Sequence, residues 1–329
     1  MKQLIIIICL LIAGDYCLAQ FKLNEDPLAH TYSIVAIDYK NGDMGVAVQS
    51  HWFSVGTLVT WGEPGVGVIA TQSLVNVEFG PKGLALLESG VSPNDALEKL
   101  LVEDEGRDFR QVAILNRNGE VATHTGKKCI EEAGHQVGKG FSVQANLMEY
   151  PTVWPAMAKA FEEGENLPLA ERMVAALEAA EAAGGDIRGR QSAAVLVVSG
   201  KPTGKIWVDR KVDIRVDDHP TPLEELKRIL KVHRAYEHMN AGDLALEHGD
   251  FQKAMQEYAN AESMFPDNVE MKYWHAVNLA NTGKVMESLP LFMQVFRKEE
   301  RWRKLTPRLI KNGLLTVSEV DLHKILTVK

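Results

Sequence analysis

Thr31 is the residue whose type and position most directly suggest chemistry. It lies near the start of the strand-like run from His30 to Asp38, which follows an apolar amino-terminal segment and opens the predicted globular domain. A cut before Thr31 would free its α-amine, and that amine can act as the base for the hydroxyl of the same residue. Thr31 would then supply both nucleophile and base for attack on an amide carbonyl. Because threonine is also a favoured strand residue, a purely structural hydroxyl is the alternative.

Three further side chains are candidates for the same reaction. Asn146 can donate to an oxyanion, or it can satisfy a backbone group at a strand end. Ser50 can orient the amine of Thr31 through its hydroxyl. Asp38 can stabilise the protonated amine. Serine and aspartate are also common in turns and caps, so each residue has a structural alternative.

A second set of polar residues is predicted to bind substrate. Glutamines within apolar or strand-like runs must find hydrogen-bond partners, so they either line a site or bridge strands. Asp186 can also stabilise the protonated amine, and Ser192 can also orient it. The predicted substrate-binding residues are Gln72, Gln144, Asp186, Gln191 and Ser192.

His124, Cys129 and His135 invite comparison with a metal site. Spacings of five and six residues on separate predicted loops are not a standard zinc arrangement. A fourth ligand such as His219 would have to come from far along the chain. We therefore predict no metal and no cofactor, and nothing near Cys129 marks it as a nucleophile.

The amino terminus has the pattern of a secretion signal. Lys2 precedes an apolar core from Leu4 to Ala13, which is too short to span a bilayer, and small residues lead to Ala19. We expect residues 1–19 to be removed and the chain to be exported to a periplasmic or extracellular space. Residues 20–30 then form a leader segment before Thr31.

Composition limits the remaining possibilities. With two of the three cysteines inside the signal, only Cys129 is left, so no intrachain disulfide can form. A chain of 329 residues with 46% hydrophobic content is long enough for two domains with apolar cores. The net charge of -8 and the lack of a basic cluster argue against nucleic acid as a partner. No second long apolar stretch predicts a membrane span.

The region from 31 to 220 alternates groups of strands with pairs of helices. The hairpin signal Asn41-Gly42-Asp43 joins the first two strands, and Ser92-Pro93 marks the start of a helix. Strands are also predicted at 57–61, 65–73, 111–115, 120–124, 140–147, 192–198 and 205–216, and helices at 80–87, 153–162 and 168–183. Helices that cluster in pairs favour antiparallel sheets covered by helical layers.

A different pattern occupies residues 221–329, which are predicted to be all helical. Gly249 and Gly283 lie 34 residues apart, as do Tyr258 and Phe292, and this is the tetratricopeptide period. Such repeats pair antiparallel helices and usually present a concave face to a protein or peptide partner. The second unit lacks the proline that Pro266 supplies in the first.

Residues distributed over the first region resemble the family called domain of unknown function 1028, which is similar to N-terminal-nucleophile (Ntn) hydrolases. The matching stretches are Thr31–Ala36 with Asp38, Gly45–Val48, Val66–Gln72, Gly80–Leu87, His124–Gly126, Cys129, Ala133–His135, Gly140–Gln144, Asn146, Gly184–Asp186, Arg188–Gly189, Gln191–Ala194 and Val216–Pro220. The resemblance implies an α+β fold, a four-layer αββα Ntn-hydrolase-like sandwich. An all-α tetratricopeptide-like domain would follow it.

The resemblance favours an exported threonine-dependent amidohydrolase that acts on a small amide or peptide-like substrate. Relatives often carry the threonine directly after the initiator methionine or a signal junction, whereas residues 20–30 intervene here, so a second cleavage is required. The alternative is a non-catalytic exported binding or scaffold protein that uses the same fold and recruits partners through its helical repeats. Assembly into a homo-oligomer is compatible with both readings.

Overall fold

The computed structural model describes residues 28–329, which form two compact units divided after Leu223. The predicted signal (1–19) and most of the predicted leader lie outside the described residues. In the first unit, the strands are β1 (Leu28–Ala29), β2 (Thr31–Ile37), β3 (Met44–Ser50), β4 (Thr60–Glu63), β5 (Gly67–Leu74), β6 (Arg110–Asn116), β7 (Val121–Thr125), β8 (Gly134–Gly138), β9 (Phe141–Ala145), β10 (Ser192–Val198) and β11 (Arg210–Val216).

These strands form two antiparallel sheets. The first has the order β1-β5-β6-β7, with β4 also paired to β5, and the second has the order β11-β10-β3-β2-β9-β8. The two sheets pack face to face, with β2 and β3 lying against β5. The hairpin predicted at Asn41-Gly42-Asp43 joins β2 to β3 and places Thr31 opposite Ser50. Gly42 has φ +83°, a conformation that glycine adopts without strain.

A pair of helices covers the outer face of each sheet. The helices of this unit are α1 (Gly56–Val59), α2 (Phe79–Glu88), α3 (Pro93–Glu103), α4 (Val153–Glu163), α5 (Leu169–Ala182) and α6 (Ile206–Asp209). α2 and α3 pack on the first sheet, and α4 and α5 pack on the second. The prediction of mixed helices and antiparallel sheets is confirmed. As expected, the hydroxyl of Ser92 caps α3 by accepting a hydrogen bond from the N–H of Asp95.

Two predicted strands begin later than expected. Residues 57–59 belong to α1, and the strand predicted from 205 begins only at Arg210, after α6. In the second case the buried carboxylate of Asp209 accepts hydrogen bonds from the N–H groups of Thr203 and Gly204. These bonds close a local turn in place of strand pairing.

The layer between the two sheets is apolar at one end and polar at the other. Most of its apolar cluster comes from inward-facing residues of the long strands, including Val35, Val48, Val68, Leu115 and Leu196. Near one end of the same strands the buried side chains become polar: Thr31, Ser33, Ser50, Gln72, Gln111 and Ser192. A burial pattern of this kind requires hydrogen-bond partners inside the protein, because buried polar groups are costly when unpaired.

The second unit consists of helices. The helix α7 (Pro222–Glu247) begins at the boundary. It is followed by α8 (Phe251–Met264), α9 (Val269–Asn281), α10 (Val285–Lys298), α11 (Arg301–Lys311) and α12 (Glu319–Thr327). In this unit α9 packs against both α8 and α10. Two apolar clusters lie between the helices, and they contain buried aromatic residues such as Tyr258, Tyr273 and Phe292. The prediction of a carboxyl-terminal helical region is confirmed. Among the described helices none combines the length and apolarity needed to cross a bilayer.

Candidate functional site

Thr31 lies at the polar end of the inter-sheet layer, as the first residue of β2, and is fully buried. Its Oγ1 donates a hydrogen bond to the carbonyl oxygen of Ala29 at 3.0 Å. The chain passes at His30 from β1 in the first sheet to β2 in the second. The hydroxyl and the peptide bond before it therefore sit where the two sheets meet.

The carbonyl oxygen of His30, which belongs to the peptide bond before Thr31, accepts two side-chain hydrogen bonds. One comes from the hydroxyl of Ser50, which faces Thr31 across the β2–β3 hairpin. The other comes from Nη2 of Arg188 at 2.8 Å. Two donors on one carbonyl oxygen polarise it and would stabilise negative charge on that oxygen.

Asp186 holds Arg188 in this position. Its carboxylate accepts from Nη2 of Arg188 at 2.7 Å and from Nε at 3.0 Å, and it also accepts from the backbone N–H of Arg188 at 2.9 Å. The Asp186 side chain is fully buried, whereas 28% of the Arg188 side chain is exposed. A bidentate pair of this kind fixes the direction of the guanidinium group as well as its charge.

The carbonyl oxygen of Thr31 is held equally firmly. It accepts from the backbone N–H of Asn146 at 3.1 Å, from Nε2 of Gln72 at 3.1 Å and from Nδ2 of Asn146 at 3.3 Å. The peptide groups on both sides of Thr31 are thus fixed by side chains from both sheets. This arrangement is preorganised, because those side chains are themselves locked by neighbours.

The directions of the side-chain amides in this network follow from backbone carbonyl groups, which can only accept hydrogen bonds. Nε2 of Gln111 donates to the backbone carbonyls of Ala145 at 2.9 Å and Gly134 at 3.2 Å, so its Oε1 must point the other way. That Oε1 accepts from Nε2 of Gln72 at 2.7 Å and from Nδ2 of Asn146 at 2.9 Å. Gln111 therefore determines which way both neighbouring amides face.

Asn146 consequently turns its oxygen toward His30. Its Oδ1 lies 3.0 Å from Nδ1 of the His30 imidazole, and since an amide oxygen only accepts, that Nδ1 carries the hydrogen. Burial lowers the pKa of His30, and the charge of Arg188 adds to this effect, although the hydrogen bond to Asn146 opposes it. The imidazole is therefore held neutral at pH 7, with a defined tautomer.

This orientation corrects the predicted role of Asn146. An oxyanion needs hydrogen-bond donors, but the Nδ2 of Asn146 is occupied by Gln111 and by the Thr31 carbonyl, and only its oxygen faces the His30 side chain. Asn146 is thus an acceptor and positioning residue. The donors that meet the carbonyl beside Thr31 belong to Ser50 and Arg188.

Asp38 does not lie in this site, contrary to the prediction. It follows the opposite end of β2, about 20 Å from Thr31 at the usual rise of a strand. There its carboxylate accepts from the backbone N–H of Lys40 at 2.9 Å, inside the turn of the hairpin. Asp38 therefore has the structural role of a turn residue.

The predicted substrate-binding residues divide into two groups. Gln72, Gln144 and Asp186 join the buried network; Nε2 of Gln144 donates to Ser33 at 2.6 Å. Gln191 instead directs its amide to Asp218, at 3.1 Å. Ser192 lies next to Ser50 in the sheet, but its hydroxyl donates to Trp52 and accepts from the N–H of Val55. Both residues therefore organise loops beside the site rather than line it.

The histidines and the cysteine of the considered metal site are engaged separately. His124 contacts the carbonyl of Arg107, and His135 contacts the hydroxyl of Thr125 at 2.8 Å. Burial raises the pKa of the Cys129 thiol and so disfavours the thiolate. Within residues 28–329, no three of the histidine, cysteine and acidic side chains cluster closely enough for metal binding.

Comparison with known proteins places this arrangement in a family. The sequence pattern of DUF1028, described as a family of unknown function, matches residues 31–226. The chain belongs to the DUF1028 family. The residues Ser50, Gln72, Gln111, Asn146, Asp186 and Arg188 all lie inside the match, and His30 directly precedes it.

Among solved structures, one that is similar to this chain comes from the same family. The crystal structure of protein SPO2555 from Silicibacter pomeroyi, also a DUF1028 protein, is 30% identical in sequence with a TM-score of 0.56, covering 62% of this chain and 85% of that one. Anbu, the ancestral beta-subunit from Yersinia bercovieri, is 12% identical with a TM-score of 0.31, covering 60% and 92% respectively. A TM-score of that size does not establish a shared fold. No curated protein matches the chain.

The sequence alone does not mark three residues of the site, Arg188, Gln111 and His30, as functional candidates. Arg188 carries part of the DUF1028 resemblance, but no local signal indicates its role. Gln111 interrupts an apolar strand in the same way as Gln72, and that signal was available. Nothing local to His30 shows that its carbonyl would meet donors from residues 50 and 188, because that meeting depends on how the strands pair.

Proposed function

We propose that this chain is an exported amidohydrolase of the N-terminal-nucleophile type, in which Thr31 becomes the first residue and attacks peptide-like amides. The observation that carries the proposal concerns the carbonyl group of His30, which precedes Thr31 in the chain. Its oxygen accepts hydrogen bonds from Ser50 and Arg188. The order of helix pair, sheet, sheet and helix pair supports an Ntn-type sandwich. The DUF1028 resemblance to Ntn hydrolases supports it as well.

The first step that we propose is cleavage of the chain itself. Oγ1 of Thr31 attacks the carbonyl carbon of His30, and the negative charge that develops on the oxygen is stabilised by Ser50 and Arg188. The bond between His30 and the nitrogen of Thr31 breaks, an ester forms at Oγ1, and the nitrogen takes up the proton that the hydroxyl loses. Water then hydrolyses the ester, which leaves a carboxylate on His30 and a free amine and hydroxyl on Thr31.

Turnover of an external substrate would reuse the same groups. The freed α-amine of Thr31 accepts the hydroxyl proton as the oxygen attacks the amide carbonyl, and it passes that proton to the leaving amine. The acyl-enzyme ester is then hydrolysed by water. Ser50 and Arg188 would bind the oxygen of the substrate carbonyl as they now bind that of His30.

Replacement of Thr31 tests this proposal. In purified chain starting at Gln20, wild type and Thr31→Ser should cleave before residue 31, because both carry a hydroxyl, and Thr31→Ala should remain uncleaved. Thr57→Ala is the control, since Thr57 is an exposed hydroxyl that contacts Ser54. Cleavage in Thr31→Ala at the wild-type rate would refute the nucleophile. An intact bond in every variant would favour the non-catalytic binding or scaffold protein.

Export is part of the proposal and rests on the signal-like residues 1–19. Fractionation of cells that express the full chain should find it outside the cytoplasm, shortened by at least those residues. Retention in the cytoplasm at full length would contradict the export.

For the helical unit, we propose a tetratricopeptide-like module that holds a protein or peptide partner. Support comes from α8 and α10, which begin 34 residues apart and each follow a glycine with positive φ, Gly249 at +73° and Gly283 at +80°. A Cβ on Gly242 would lie 3.0 Å from the Tyr258 ring, as close packing of paired helices requires. In affinity capture, the full chain should retain the partner, and a chain that ends near Val232 should lose it.

A further inference from the structure

The residues just before Thr31 fill a groove of the fold. β1 pairs antiparallel with the end of β5, with Leu28 opposite Leu74 and Ala29 opposite Ser73. Ala29 is fully buried within the apolar inter-sheet cluster, and His30 is buried as well. This short segment is therefore held by both backbone pairing and side-chain burial, although the proposed cleavage would release it.

Release would leave part of the β5 edge unpaired. One edge of β5 pairs with β6 from Gly67 to Ser73, and on the other edge β4 covers only Gly67 to Ala70. Within the described residues, β1 is the strand that covers the remaining end of that edge, at Ser73 and Leu74. An unpaired strand edge offers N–H and C=O groups in the geometry that an extended peptide can match.

The position of His30 also has a defined chemical preference. The backbone carbonyls of Ala145 and Gly134 fix Gln111, Gln111 fixes Asn146, and Asn146 presents an acceptor oxygen toward the imidazole. A side chain without a donor would leave this buried oxygen unpaired. A buried acceptor left without a hydrogen bond is unfavourable, so the site prefers a side chain that donates.

We propose that the groove occupied by Leu28, Ala29 and His30 is the acyl-side binding site for substrate. The substrate is then an extended peptide that pairs with the end of β5, with a small residue second from the cleaved bond. The residue directly before that bond carries a hydrogen-bond donor, which Asn146 recognises. This inference rests on the proposed function, and it narrows the substrate class from peptide-like amides to extended peptides with a hydrogen-bond donor directly before the cleaved bond.

Synthetic substrates test it with the processed wild-type chain. The probe is the aminomethylcoumarin amide of acetyl-Leu-Ala-His, compared with peptides that carry Asn, a donor, or Leu, a residue without one, in place of His. We expect hydrolysis of the His and Asn peptides, and kcat/KM for the Leu peptide lower by about 10- to 100-fold, because the acceptor oxygen of Asn146 would be left unpaired. Equal kcat/KM for all three would overturn the donor preference.

Backbone pairing has its own test. Successive N–H groups of a strand point to opposite edges, so only one of the two N–H groups of Leu28 and Ala29 faces β5. N-methylation of the probe at one of these two positions should weaken binding much more than at the other. Equal effects at both positions would refute strand pairing.

A last measurement separates this inference from the proposed function. In uncleaved Thr31→Ala chain, ¹⁵N NMR should find the His30 imidazole protonated at Nδ1, and an imidazole protonated only at Nε2 would overturn the recognition. If wild type cleaves after His30 but the peptides are not discriminated, the inference fails and the function stands. If wild type neither cleaves nor hydrolyses any probe, both fail.

Discussion

Replacing Arg188 by leucine should separate the chemistry of the site from its stability. The change removes one of two donors to the His30 carbonyl, and it removes the cation that faces the fully buried carboxylate of Asp186. Loss of a single oxyanion donor typically lowers a rate by about 10²- to 10³-fold. We therefore expect Arg188→Leu to slow cleavage before Thr31 by at least ~100-fold.

The stability cost of the same change can be judged from the burial of the pair. Removing one partner of a buried ion pair costs about 3–5 kcal/mol, and this value must be reduced here because 28% of the Arg188 side chain is exposed. The backbone N–H groups of His51 and residue 188 also remain on the carboxylate. We expect a loss of about 2 kcal/mol in the free energy of unfolding, measured by urea denaturation in the uncleaved Thr31→Ala background.

A second substitution distinguishes the two effects. Adding Asp186→Asn to Arg188→Leu removes the unpaired charge, so stability should partly return while cleavage stays slow. Arg190→Leu is the matched control, since Arg190 makes a looser pair with Glu181 at 3.5 Å and is 46% exposed. Cleavage before Thr31 is measured by mass spectrometry, and a wild-type rate in Arg188→Leu would refute the reasoning. Recovery of both stability and cleavage in the double variant would refute it equally.

Three further predictions concern the network, its pH dependence and the helical unit. Gln111→Leu should lower the free energy of unfolding by about 3 kcal/mol in urea titrations, because the buried Ala145 carbonyl and the Asn146 amide each lose a hydrogen-bond partner. Gln136→Leu is the control, since Gln136 is exposed on β8 and its replacement should change the free energy of unfolding little. Burial lowers the pKa of His30, so the unfolded chain takes up a proton that the folded chain resists. In the uncleaved Thr31→Ala background, the stability difference between chains with His30 and with His30→Asn should be constant above pH 6.5 and shift against the His30 chain below it. A pH-independent difference would contradict this. Tyr258→Ala should destabilise the helical unit by about 3–5 kcal/mol in thermal unfolding while cleavage before Thr31 stays unchanged.

Much of the fold follows from local sequence signals. Alternation of β-branched residues on either side of Asn41-Gly42-Asp43 predicted the first hairpin, and its register places Thr31 opposite Ser50. The same register puts Asp38 at the far end of β2, so its exclusion from the site could also have been anticipated. Strand geometry alone decides that point.

The rest of the site depends on pairing between distant segments. Arg188 reaches the His30 carbonyl from a loop that precedes β10, and Gln111 reaches Asn146 from the opposite sheet. No periodicity within either segment specifies its partner. The role of Asn146 is hidden from the sequence for the same reason, because the direction of its amide is set by Gln111 and not by its own segment.

The amino-terminal residue of the mature protein tests the central claim most directly. Intact mass and amino-terminal sequencing of wild-type protein, purified from cells that express the full chain, should show a chain that begins at Thr31 with a free α-amine. A protein that carries out its function while His30 and Thr31 remain joined by a peptide bond would contradict the account.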